Sequence, residues 1–444
     1  MNINELKQKV IKAIDDNKEV ILKAGKEIYA NPEMGFKEFK TTETAANFLK
    51  NLGLEVEENI AVTGCKTSIK GGKPGPNVAI LGELDAISCA NHCDSVEGGA
   101  VHACGHNIQI AGMLGAALGL VKSGVLPNLA GNVTVMATPA EEFVELEYRA
   151  KLKEEGQLTY FGGKQELIKK GYFDDIDMAM MFHSLDMGDK DALVGPVSNG
   201  FVGKKVQFIG KESHAGSAPE NGINALNAAM LAINNIHAQR ETFKDSDRVR
   251  VHPIITKGGD IVNSVPADVQ MESYARARTI NGMLDSNAKV DRALKAGAMA
   301  VGADVKITSI PGYLPILRTV ELDNLFKENL MFMGMPEEKI IEGGDFTGSF
   351  DFGDVSHIMP TMHPMIGGIK GDLHTREYEI VDENLAYIVP AKAMALTVVD
   401  LLFDNASTGK NILNNFEAKM TKKEYMDFME SLDKVELFEG DKLI

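Results

Sequence analysis

The chain has 444 residues, 44% hydrophobic and 25% charged, with 63 acidic against 46 basic side chains and a formal net charge of -17. That length exceeds one ordinary domain, and the composition excludes a largely disordered protein. The acidity removes any electrostatic reason to bind nucleic acid or an anionic membrane, and four cysteines are too few for a disulfide framework.

The first twenty residues carry a helical apolar rhythm (Leu6, Val10, Ile11, Ile14) interrupted by charges. They lack the apolar core of a signal peptide, and no apolar run reaches the ~20 residues of a membrane span, so a cytoplasmic location is expected. Helices are expected at about 3–30 and 41–52. The apolar run at 77–82 follows a Gly/Pro-rich turn and reads as a buried strand. Residues 106–121, rich in Ala, Gly and Leu, read as a helix, and 132–137 and 178–182 as further strands. Strand, helix, strand in this order implies an α/β domain: a largely parallel sheet covered by helices.

From about 197 to 312 the texture changes. Strand-like stretches at 205–210, 249–256, 269–277 and 303–309 alternate with helical ones at about 222–239 and 281–300. This reads as a compact α+β domain inserted into a larger one. Helices return at about 320–333 and 384–403. The expected organisation is a catalytic domain over 1–196, an inserted domain over 197–312, and the rest of the catalytic domain over 313–444. The polar, helical remainder from about 404 reads as decoration.

Polar residues gather after the predicted strands: Glu83 and Asp85, then Glu141 and Glu142, then His183. The carboxyl ends of strands in open α/β sheets are where ligands sit. His102, Ala103, Cys104, Gly105 and His106 open the helix at 106. A thiolate and an imidazole two positions apart can reach one metal ion, and a helix N-terminus favours the thiolate. A buried free cysteine beside helix-capping histidines is the plainer alternative. Of the adjacent carboxylates Glu141 and Glu142, one could bind a metal while the other takes a proton from water; two solvated acids in a loop is the plainer reading. His183 and His374 extend the set, and Asp85 could orient a ligand. In the inserted stretch, Ser213, His214 and Ala215, the Gly-rich turn from Gly258 to Pro266 with Asn263, and Arg276 with Arg278 on one strand face suit a carbonyl and a carboxylate. Singly, each is an ordinary turn or surface residue.

In order, His102-Ala-Cys104-Gly-His106, Ala140-Glu141-Glu142, His183, Ser213-His214-Ala215, Asn263-Ser-Val-Pro266, Arg276 and His374 resemble the aminoacylase-type metallopeptidases of clan MH. Within them the chain is similar to the amidohydrolase subfamily of aminobenzoyl-glutamate, auxin-conjugate and β-alanyl-dipeptide hydrolases. Asn31-Pro-Glu-Met-Gly-Phe-Lys-Glu38 fits as well, and the likeness runs to about residue 403.

The resemblance implies a zinc-peptidase-like α/β domain and an inserted ferredoxin-like lid that makes a homodimer. It implies two divalent ions per subunit, zinc or manganese, with cobalt or nickel as alternatives. Cys104, His106, Glu142, His183 and His374 would hold them, Cys104 bridging. Glu141 would be the general base and His214 would polarise the scissile carbonyl. Asn263 and Arg276 would hold a substrate bearing a free carboxylate. The implied activity is metal-dependent hydrolysis of an N-acyl amino acid or dipeptide-like substrate through a metal-bridging water. Two other readings stay open: a catalytically silent ligand-binding relative, and a hydrolase using Cys104 as nucleophile. The chain departs from the family at Asn107, where relatives usually carry Asp, and at Gln109 and Ile110, where many have a second His.

Overall fold

A computed structural model describes residues 1–443. The chain divides into two compact units. The first comprises Met1–Val197, Leu317–Asp345 and Asp354–Lys419; the second comprises Ser198–Ile316, Phe346–Gly353 and Met420–Ile444.

The first unit is built on a six-stranded sheet. Its order is Val56–Ile60, Gly64–Lys70, Ala130–Thr138, Lys73–Glu83, Met178–Met180 and Thr361–Met362. The last four run parallel, and the first two are antiparallel additions at one edge. Strand Lys73–Glu83 is buried continuously from Pro76 onward, as a strand covered on both faces must be. The helix His106–Lys122 is apolar all round, with residues 106–120 buried without exception. Its small residues let neighbours approach closely. A Cβ at Gly119 would stand 2.6 Å from the Ile14 side chain of the first helix, Ile3–Asp15.

The helix expected over about 3–30 is two helices, Ile3–Asp15 and Lys18–Tyr29. The break falls at Asp16 and Asn17, where short polar side chains compete with the helical backbone. The first is closed by a capping box between Asn2 and Glu5. The segment Asn384–Asn415 is, by length and composition, apolar enough to cross a membrane, which the sequence reading did not find. Its most apolar stretch is mostly buried, the segment packs against His106–Lys122 within the first unit, and helical geometry is interrupted from Phe403 to Ala406.

The second unit is a five-stranded antiparallel sheet in the order Arg250–Lys257, Asp268–Ala277, Gly200–Ile209, Asp304–Pro311 and Lys434–Phe438. Burial alternates residue by residue along Asp268–Ala277, the pattern of a sheet with one packed face. Helices Ala225–Ala238 and Ile280–Met299 cover that face, with Ala228, Ala232, Phe208, Met271, Leu294 and Ile307 in the core. Arg278, expected on the same strand as Arg276, lies just past its end. Of the C-terminal segment read as decoration, the part up to Lys419 stays with the first unit, while the part from Met420 belongs to this second unit and contributes the strand Lys434–Phe438.

Candidate metal centre and active site

The carboxyl ends of the four parallel strands bring the chemistry together. Glu83 ends its strand, Glu141 and Glu142 follow Thr138, His183 follows Met180, and His363 follows Met362. Gly105 precedes the helix His106–Lys122 with φ 84°. A Cβ there would stand 2.1 Å from Ser184 Oγ, so only glycine permits the turn that sets Cys104 and His106 side by side.

Asp85 organises the cluster. Its carbonyl and Oδ1 lie 2.9 and 3.1 Å from His106 Nδ1, and its Oδ2 accepts from the Glu142 amide at 2.8 Å. Both neighbours of Nδ1 are acceptors, so Nδ1 carries the proton and Nε2 presents a lone pair. His183 is fixed likewise: its Nδ1 donates to the Ser184 carbonyl at 2.7 Å, and its Nε2 stands 3.4 Å from Cys104 Sγ. His374, at φ 63°, is anchored by its amide on the Ala103 carbonyl. Its Nε2 lies 3.2 Å from Cys104 Sγ and 2.9 Å from Glu142 Oε1.

All five expected ligands therefore converge. The donor atoms of Cys104, His106 and His183 lie within 4.8 Å of one another, as do those of Cys104, Glu142 and His374. Cys104 is common to both triads. His106 Nε2 is buried without a hydrogen-bond partner. A soft thiolate, imidazole nitrogens and carboxylates at this spacing fit divalent ions. Glu141 is buried, with Oε2 3.9 Å from His106 Nε2.

The electrostatics agree. Burial opposes ionisation of Cys104, yet His374, His106 and His183 outweigh it and hold the thiol well below its usual range. Burial likewise opposes charge on His374, but Cys104 and Glu142 raise it to about 11. Fully buried His102 goes the other way, to about 3, through burial and the neighbouring His106.

The remaining expected residues lie on the second unit. His214 is exposed, and its Nδ1 accepts from the Gly216 and Ser217 amides at 3.2 and 3.1 Å. The neutral ring then carries its proton on Nε2, as a donor. The Ala215 amide donates to the Asn263 carbonyl at 3.0 Å, joining the two loops. Arg276 is half-buried, its guanidinium 5.4 and 5.3 Å from the Phe201 and Tyr274 rings and 3.4 Å from Ser349 Oγ.

Sequence reasoning missed Lys164 and Gln109, which bind the carboxylate of Glu83 beside His106. It noted Gln109 only as a departure, and nothing marked Lys164. The stretch Cys89-Ala-Asn-His92-Cys93 is metal-like in composition, but its imidazole is engaged: His92 Nε2 donates to the Tyr378 carbonyl and Nδ1 accepts from the Asp94 amide.

Comparison with known proteins extends this picture. Residues 198–297 match the peptidase dimerisation domain. The mouse Xaa-Arg dipeptidase (Mus musculus) is 28% identical over 445 residues, covering 95% of this chain and 94% of the relative. The human one (Homo sapiens) is 30% identical over 354 residues, covering 75% of this chain and 73% of the relative. The chain belongs to the M20 family of metallopeptidases. As an M20 hydrolase it acts on dipeptides or acyl amino acids, and it uses metal. The M20 fold is also that of a Bacillus subtilis protein described as a dinuclear metal binding peptidase, with a TM-score of 0.63 at 20% identity, covering 90% of this chain and 99% of that one. The segment that matches the dimerisation domain contains His214, Asn263 and Arg276.

Proposed function

We propose that this M20 enzyme hydrolyses the amide bond of a dipeptide or N-acyl amino acid with a free carboxylate, using two divalent ions, zinc or manganese. The observation that carries the reading is the convergence of Cys104, His106, Glu142, His183 and His374, with Glu141 beside them.

Ions bound there would polarise the scissile carbonyl and lower the pKa of an attacking water. Glu141 takes the proton of that water and returns it to the departing amine. His214 Nε2–H donates to the oxygen that gains charge, a contact typically worth about 3 kcal/mol. Asp85 keeps His106 in the ligating tautomer. Arg276 and Asn263 hold the substrate carboxylate, and the dimer forms through the second unit. A net charge of -17 favours substrates with a basic side chain, in keeping with the name of the Xaa-Arg dipeptidase relatives.

The test is elemental analysis of the purified protein, coupled to hydrolysis of Xaa-Arg dipeptides, β-alanyl dipeptides and aminobenzoyl-glutamate before and after chelation. Two divalent ions per chain with chelator-sensitive release of a free amino acid is the expected result. Hydrolysis that survives complete metal removal would instead favour Cys104 as nucleophile, which the imidazoles around its Sγ would also activate.

A further inference from the structure

On the two-ion reading above, we propose that Glu83 is a further ligand of the ion held by His106, clamped for that role by Lys164 and Gln109.

Glu83 is fully buried, and both of its carboxylate oxygens are assigned. Oε1 accepts from Lys164 Nζ at 2.5 Å. Oε2 accepts from Gln109 Nε2 at 2.8 Å and lies 3.2 Å from His106 Nε2. The Gln109 side chain grips twice, because its Oε1 also receives the Glu83 amide at 3.2 Å. Gln109 sits one helical turn beyond His106, on the same face of the helix, so the imidazole and the clamp move as one body.

The geometry at His106 calls for a cation. Its Nδ1 lies against two acceptors of Asp85, which places the ring proton there. The lone pair on Nε2 therefore faces Glu83 Oε2 at 3.2 Å and Glu141 Oε2 at 3.9 Å, in a space where Nε2 is buried without a hydrogen-bond partner. Lone pairs of a nitrogen and two carboxylates pointed at one another repel unless something positive lies between them. Two ligand atoms each ~2.1 Å from one ion and at the tetrahedral angle stand ~3.4 Å apart, close to the observed gap. Glu83, His106 and Glu141 form a third triad within 4.8 Å, overlapping the Cys104, His106 and His183 triad through His106. Lys164, itself fully buried, balances the carboxylate's charge without occupying the oxygen that faces His106. The other source of positive charge is a second proton on His106, making an imidazolium paired with Glu83, and the two differ in what they do to metal binding.

The experiment strips the full-length protein with chelator and titrates it with Zn2+ against a competing chelator and with Co2+ by visible absorption. The wild type is compared with Glu83→Gln, which preserves shape and removes the charge. Because that change leaves Lys164 facing an amide, Glu83→Gln/Lys164→Met is measured alongside, and thermal melting reports folding. The expected result in both variants is at least about a tenfold loss of affinity for one of two ions, with a changed Co2+ spectrum. Two ions bound with unchanged affinities and an unchanged spectrum in either folded variant would overturn the proposal and leave Glu83 as counter-ion to a protonated His106. A wild-type chain that takes up fewer than two ions would overturn the two-ion reading, and this assignment with it.

Discussion

His374 Nε2 lies 3.2 Å from Cys104 Sγ although 270 residues separate them in the chain. The imidazole thereby joins the others that hold the thiol ionised, and the thiolate is shared by both ligand triads. Cys104→Ser keeps the size of the side chain but removes the soft anion. The variant should bind fewer than two ions and lose nearly all hydrolysis, as read by elemental analysis beside activity. Two tightly held ions in the serine variant would contradict a bridging role.

Glu141 differs from Glu142 in its surroundings. Glu142 contacts His374 and donates its amide to the Asp85 carboxylate, whereas Glu141 stands near His106. Glu141→Gln should retain both ions and the melting temperature while lowering kcat by at least about a hundredfold. Near-normal turnover in that variant would remove Glu141 from its role as base.

The Arg276 guanidinium lies 5.4 and 5.3 Å from the Phe201 and Tyr274 ring centroids, cation–π contacts that favour one direction of the side chain. Arg276→Ala should raise KM about tenfold or more for substrates ending in a carboxylate, and far less for the corresponding amides. Kinetics on matched acid and amide substrates decide the matter; equal effects on the pair would refute a carboxylate contact.

Glu38 lies beside the residue that precedes Glu141, accepting from the Ala140 amide at 2.8 Å and from Thr63 Oγ1 at 2.5 Å. Burial, then the nearby Asp85, pushes its carboxyl up to about 8. The unfolded chain would titrate it near ~4.3, so the folded state binds this proton more tightly. Its contribution to stability is therefore complete below the unfolded value and is lost as pH rises through about 8. Glu38→Gln keeps groups able to satisfy both contacts and removes the titration. Between about pH 6 and 9 the wild-type melting temperature should fall by several degrees more than that of the variant. Parallel curves would show that Glu38 does not titrate in this range.

The parts of the site that were readable in the sequence are those carried by strand ends and a helix start. Glu141, Glu142 and His183 each follow an apolar strand, and Cys104 and His106 open an apolar helix, so local pattern alone placed them on one rim. His374 comes from a loop with no periodicity, so the residues offered it only as a further candidate, and the family likeness gave it a ligand's role. Lys164 was invisible because it lies 81 residues from Glu83, and a lysine in a short helix normally reads as solvated. The inserted sheet was legible through its alternation, whereas Lys434–Phe438 was not, because five residues flanked by acids carry too little pattern to separate a strand from a tail.

That last strand has a consequence for how the chain must be handled. It covers the outer row of backbone groups on Asp304–Pro311, pairing Val305 with Phe438 and Ser309 with Lys434. Lys434 and Glu436 put charges of both signs along the new border, which discourages a further strand from adding there. A chain cut before Lys434 would keep every residue of the metal centre and yet leave the backbone groups along one side of Asp304–Pro311 unpaired. The tail thus closes one border of the sheet to a further strand.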